Sequence, residues 1–146
     1  MSPQAAANLK LWHEHLQGEF VDHDADATMD TMVDDCYVMH MPTQIGGKGK
    51  EGLRAFYRDD FIPAIPADWG HELINRIVTD DYIVEEALLK LTHTNQINWL
   101  LPNQAPTGKR LEFRAVIFVE FRDGKIANER IYWDQAQVLR QAGLSL

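Results

Sequence analysis

Serine is almost missing from this chain of 146 residues: the only two are Ser2 and Ser145. A nucleophile elbow needs Gly-x-Ser-x-Gly, or a cysteine analogue, on a sharp turn that only small neighbours permit, so serine-hydrolase chemistry has no residue to work with. Cysteine is scarcer still. Cys36 stands alone, which excludes an internal disulfide and suits a reducing compartment. Asp34 and Asp35 precede it, and neighbouring acids raise a thiol's pKa rather than activate it.

Basic clusters are also missing. The 14 lysines and arginines are scattered singly among 22 acids, for a formal charge of -8, whereas phosphate binding needs grouped cations. The best apolar run, Ala115 to Val119, is strand-sized and too short for a membrane span. Met-Ser-Pro-Gln-Ala-Ala-Ala-Asn, the opening residues, has no basic region followed by an apolar stretch. The expectation is a cytoplasmic protein with no nucleic-acid or membrane partner.

Hydrophobic residues make up 45% of the sequence, enough for one domain over residues 1–146 with a real core. Ala5, Leu9, Trp12, Leu16 and Phe20 recur at helical spacing. Asp24 or Asp26 can cap a short second helix, and Tyr37 to Met41 reads as a strand stopped by Pro42. Gly46, Gly47 and Gly49 read as the turn into a third helix with Leu53, Phe56, Tyr57 and Phe61 on one side; they lack the spacing of a phosphate-binding loop.

From His71 onward the pattern becomes that of strands: Glu72 to Thr79, Tyr82 to Trp99, Leu111 to Phe121, and Lys125 to Trp133. Asp123-Gly124 is a hairpin turn signal. Helices followed by an antiparallel meander give the α+β class. Apolar residues at alternate positions, Phe113, Ala115, Ile117, Val119 and Phe121, suggest a sheet face needing a partner, and hence a homodimer.

Two blocks, Thr92-His93 with Pro106-Thr107-Gly108-Lys109, and Gly124-Lys-Ile through Asp134 to Gln141-Ala-Gly143, resemble the hairpin and the ending of SnoaL-like domains in the NTF2-like superfamily. Ala142 departs from the usual leucine. The resemblance covers nearly the whole chain. It implies a cone of about three N-terminal helices packed on a strongly curved, mainly antiparallel sheet, and a homodimer. In some polyketide-cyclase-like members the matching Asp is a general acid/base.

Asp134 is therefore the first catalytic candidate, although with Gln137 three residues on it also forms a capping box. His93 is the second, either as partner in proton abstraction beside a carbonyl or as a hydrogen-bonding residue at a hairpin rim. Glu85 and Glu86 lie in an apolar strand where successive side chains face opposite sides. Arg114 can pair with one, and the resemblance assigns Glu86 to the pocket. Trp12, His15, Tyr37, His40, Tyr57, Trp99 and Tyr132 supply more polar-tipped aromatics than a simple core requires, and His15 shares a helix face with Glu19.

The expected function is cofactor-free and metal-free acid/base chemistry, a cyclisation, isomerisation or elimination, on a carbonyl-containing, cyclic, hydrophobic or aromatic ligand. The alternative is a ligand-binding or dimerisation module without catalysis. An epoxide hydrolase of the limonene type ranks last, because its Asp-Arg-Asp set would have to use Glu112 for one acid.

Overall fold

The structure, a computed structural model, describes residues 1–146. Helix α1, Pro3–Phe20, starts where the Ser2 hydroxyl accepts the Ala5 N–H at 3.0 Å, with proline at the first helical position. Its most buried line runs Ala5, Asn8, Trp12, His15, Glu19. Leu9, Leu16 and Phe20 of the expected stripe are only partly buried, so the helix is rotated and carries two titratable side chains into the interior.

Helix α2, Ala25–Met29, is capped by Asp24. Strands β1, Met32–His40, and β2, Ile45–Lys48, follow. Gly46 and Gly47 thus belong to a strand rather than a turn. A Cβ at Gly46 would lie 1.8 Å from the Val38 carbonyl oxygen, so only glycine allows β2 this close to β1. Gly49, with φ of +74°, makes the turn into helix α3, Lys50–Phe56. That helix widens into a π turn over Tyr57–Phe61 and closes with a 3₁₀ turn at Ile62–Ala64. Tyr57 and Phe61 at the ends of the π turn both reach the interior, and such turns cluster at functional sites.

Strands β3 (Gly70–Val78), β4 (Tyr82–Thr92), β5 (Arg110–Arg122) and β6 (Lys125–Trp133) precede helix α4, Gln135–Gln141. The sheet order is β2-β1-β6-β5-β4-β3, antiparallel throughout except for the parallel pair β1 and β6. Register breaks at Leu73/Asn75 and Glu120/Phe121 bend it. This is the expected α+β cone: three N-terminal helices, the curved sheet, and the terminal helix that Asp134 caps.

Strand β4 ends at Thr92, short of the expected Trp99, because the chain turns away to bury Ile97, Trp99, Leu100 and Leu101 in the end of the cone. Helix α4 pins this loop: Gln135 donates to the Leu100 carbonyl at 2.9 Å and accepts from the Trp133 indole at 2.7 Å.

Alternation along β5 buries Leu111, Phe113, Ala115, Ile117, Val119 and Phe121. These residues face the chain's own core, contrary to the expectation that they form an open face. The opposite side of the sheet carries Val116, Phe118 and Tyr132, with the Arg130 guanidinium 5.7 Å from the Phe118 ring centre. No helix is long and apolar enough to cross a membrane.

Candidate functional site

The concave face of the sheet and helix α1 enclose a cavity whose free interior is about 50 Å³, within about 520 Å³ of space between its walls that includes the open mouth. Twelve of its 16 lining residues are hydrophobic. Aromatic rings form the floor and sides. His40 stacks on Trp99 with centroids 4.5 Å apart, and Phe20 stacks on Trp69 at 5.3 Å near His71.

At one end the apolar wall is interrupted by a buried polar group of His15, Glu19, Glu129 and Tyr57. The His15 Nε2 lies 2.6 Å from Glu19 Oε1 and 2.9 Å from Glu129 Oε2. Tyr57 donates its hydroxyl to Glu129 Oε2 at 3.1 Å. On the far side of the ring, the Thr31 hydroxyl gives its hydrogen to the Thr28 carbonyl at 2.6 Å and so accepts from His15 Nδ1 at 2.8 Å. With Nδ1 committed as a donor, Nε2 is the atom that exchanges protons with the carboxylates.

Two acids around one imidazole leave a surplus negative charge in a buried site. Burial would pull the His15 pKa down, but Glu129 and Glu19 overcome it and hold it at about 10. The ring is an imidazolium at neutral pH. One cation cannot satisfy two anions, and burial, only partly offset by His15, lifts Glu19 to about 7. Burial and the two glutamates push the Tyr57 hydroxyl well up, so it remains a donor. His40 is driven to about 4 by burial and is neutral; its Nδ1 donates to the Ile45 carbonyl at 2.8 Å.

The donor atoms of His15, Glu19 and Glu129 lie within 4.8 Å of one another and are the one set close enough to share a metal ion. Ligands at roughly 2.0–2.2 Å from an ion such as zinc sit more than about 3 Å apart on a tetrahedron. The 2.6 and 2.9 Å contacts are those of groups sharing protons directly.

Trp12, His40, Tyr57 and Trp99 line the cavity, and His15 stacks on Trp12 behind the wall at 5.3 Å. The other candidates stand elsewhere. Asp134 is exposed on the opposite side from Trp133 and caps α4 by accepting the Gln137 N–H at 3.2 Å. His93 is sealed in the β4–β5 connection, where its Nδ1 accepts the Thr107 N–H at 3.1 Å. Its Nε2 therefore carries the hydrogen, and burial lowers its pKa: a hairpin clamp with no lone pair to offer a substrate.

Glu86 faces outward and pairs with Arg114 at 3.2 Å, whereas Glu85 points inward and is held by Arg76 at 2.6 Å. Tyr37 lies outside, within reach of Arg130, and Tyr132 is exposed. Glu129 was missed altogether. Alternation could have found it: Glu129, Ile131 and Trp133 share one side of β6, opposite Arg130 and Tyr132.

The family model for the SnoaL-like polyketide cyclase matches residues 6–142. The chain belongs to this family. The SnoaL-like chain is similar in structure to one from Jannaschia sp. CCS1, at 17% identity and a TM-score of 0.79, covering 100% of this chain and 98% of that one. It is also similar to a phenazine biosynthesis-related protein from Pseudomonas aeruginosa, at 19% identity and 0.73, covering 98% and 89%. A third likeness is to TerC co-crystallized with polyporic acid, at 15% and 0.67, covering 94% and 98%. Curated proteins give no match for this SnoaL-like chain.

Proposed function

We propose that this SnoaL-like protein performs cofactor-free acid/base chemistry on a cyclic carbonyl compound held in the aromatic cavity, with Glu19 as the proton carrier. The observation that carries the reading is Glu19 itself. It lines the cavity, makes a single ion-pair contact, and has a pKa of about 7, near the optimum for a general base at neutral pH. Glu129 is held by both His15 and Tyr57, which suits it to fixing the imidazolium. In the proposed step Glu19 takes a proton from the carbon beside the carbonyl, and the C–H electron pair forms the enolate. The proton returns at the same or another carbon, giving exchange or isomerisation. TerC, of similar fold, was crystallised with a small organic molecule.

The test is deuterium uptake from D₂O at C1 of 2-tetralone, followed by proton NMR. Wild-type protein should accelerate uptake, Glu19→Gln should lose at least about 100-fold of it, and Asp134→Asn should retain it. Binding of the ketone with no acceleration of uptake by wild type would favour the non-catalytic module instead, and acceleration unchanged by Glu19→Gln would exclude Glu19 as the base.

A homodimer through the outer sheet face is part of the same reading, supported by the half-buried Phe118 and exposed Tyr132; light scattering giving a monomer mass at micromolar concentration would refute it. Cytoplasmic residence is likewise proposed, from the single, buried Cys36.

A further inference from the structure

Two buried donors in the cavity wall have no work to do within the protein. The indole N–H groups of Trp12 and Trp69 are covered from solvent and have no hydrogen-bond partner, and both side chains line the cavity. Trp12 is only 1% exposed. Leaving a buried donor unpaired costs about 1–3 kcal/mol, and such groups are rare enough in folded proteins that each calls for a reason. The half-buried Trp133, by contrast, gives its N–H to Gln135 at 2.7 Å.

Neither indole finds an acceptor in the wall: Glu129 Oε2 receives Tyr57 and His15, Glu19 Oε1 is in contact with His15, and neither carboxylate takes an indole N–H. The wall therefore has carboxylates at one end, two unspent N–H donors, and otherwise rings. A ligand matching the two donors carries an acceptor oxygen on a flat apolar skeleton. We infer that Trp12 and Trp69 bind the substrate's carbonyl oxygen through their indole N–H groups, which selects conjugated or ring ketones over hydrocarbons of the same shape.

This inference rests on the cavity being the substrate site and gives the proposed proton transfer its counterpart. Trp12 lies two helical turns before Glu19, stacked on His15 between them. As Glu19 removes the proton, charge grows on the carbonyl oxygen. Donors that meet that oxygen in the bound complex stabilise the enolate more than the ketone. Both tryptophans touch the substrate in this reading, and whichever meets the oxyanion is catalytic.

The experiment compares 2-tetralone with tetralin, which has the same skeleton without oxygen. Dissociation constants are measured by calorimetry or NMR titration for wild type, Trp12→Phe and Trp69→Phe. Wild type should prefer the ketone by roughly tenfold, and at least one phenylalanine variant should reduce that preference about fivefold while tetralin affinity changes little. Using the ratio cancels changes in cavity shape.

A second measurement on wild type covers any variant that fails to fold: in ¹⁵N–¹H spectra, 2-tetralone should shift a Trp12 or Trp69 indole N–H downfield, and tetralin should not. Equal binding of both probes, an unchanged ratio in both variants, or indole shifts the same for both probes would overturn the inference. In the Glu19→Gln protein the ketone preference should persist, so loss of deuterium exchange there with the ratio intact separates the binding claim from the proton-transfer claim. Failure of 2-tetralone to bind would overturn both.

Discussion

His15 and His93 are both sealed from solvent, and both have a threonine hydroxyl against Nδ1, Thr31 at 2.8 Å and Thr107 at 2.9 Å. Their chemistry is nonetheless opposite. Thr31 has spent its hydrogen on the Thr28 carbonyl and can only accept, so His15 Nδ1 is a donor. The Thr107 backbone N–H points at His93, so that Nδ1 is an acceptor. At the other nitrogen, His15 meets two carboxylates and rises to about 10, while His93 meets nothing and is lowered by burial. A histidine's role is thus set by partners far away in sequence, Glu129 above all, rather than by the local clamp.

The most severe way to break this comparison is to remove each ring. His15→Phe would leave Glu19 and Glu129 buried around an apolar ring, with an expected loss of about 3–5 kcal/mol in urea unfolding at pH 7. Adding Glu19→Gln and Glu129→Gln should recover part of it. His93→Phe gives up one backbone and one hydroxyl contact and should cost about 1–2 kcal/mol. Equal losses would mean that the glutamates do not set His15 apart.

A smaller effect is read through pH. Glu19 is raised from 4.5 to about 7, so the folded protein holds this proton more tightly; that stabilisation is complete below pH 4.5 and lost as pH rises through 7. His15, raised from 6.5 to about 10, adds stabilisation complete below pH 6.5 and lost towards pH 10. His93 and His40 work the other way. Both are lowered, so their contribution is present above pH 6.5 and lost on acidification, for His40 through about pH 4. Glu19→Gln should flatten stability against pH between 4.5 and 7, by at most about 3 kcal/mol for a shift of this size. His93→Phe should leave that window's downward slope in place. A slope unchanged by Glu19→Gln would show that Glu19 does not titrate there.

Much of the fold was legible because periodicity reports burial. The helical span of α1, the alternation of β5 and the Asp-Gly hairpin all follow from side chains seeking the core, although α1 turns a different line inward from the one its apolar residues mark, and the β5 apolar face meets the chain's own core rather than a partner. The site was half legible for the same reason: Trp12, His40, Tyr57 and Trp99 are large aromatics, and aromatics go inside. The two carboxylates were harder. Asp134 drew attention by its place at a strand-helix junction, but the alternation that buries Glu129 turns Asp134 outward. Glu19 could be placed on the face of His15, yet its value comes from a third residue 110 positions away, on a strand that pairs in parallel with β1. No local pattern encodes that meeting. The long strand to Trp99 failed because Ile97, Trp99, Leu100 and Leu101 close the end of the cone, which apolar residues on a strand would equally have suggested.

The gentlest probe of the comparison touches only the threonines. Thr31→Val removes the acceptor for a donor on a buried imidazolium, along with the hydroxyl's own bond to Thr28; the expected cost is about 1–2 kcal/mol. The His15 pKa should also fall, because the protonated ring loses a partner. Thr107→Val leaves the backbone N–H on His93 Nδ1 in place and should cost under about 1 kcal/mol, with the His93 tautomer unchanged in ¹⁵N spectra. If Thr107→Val instead moved the proton to Nδ1, the hydroxyl rather than the backbone would be holding that tautomer, and the two histidines would differ by one side-chain contact instead of by their surroundings.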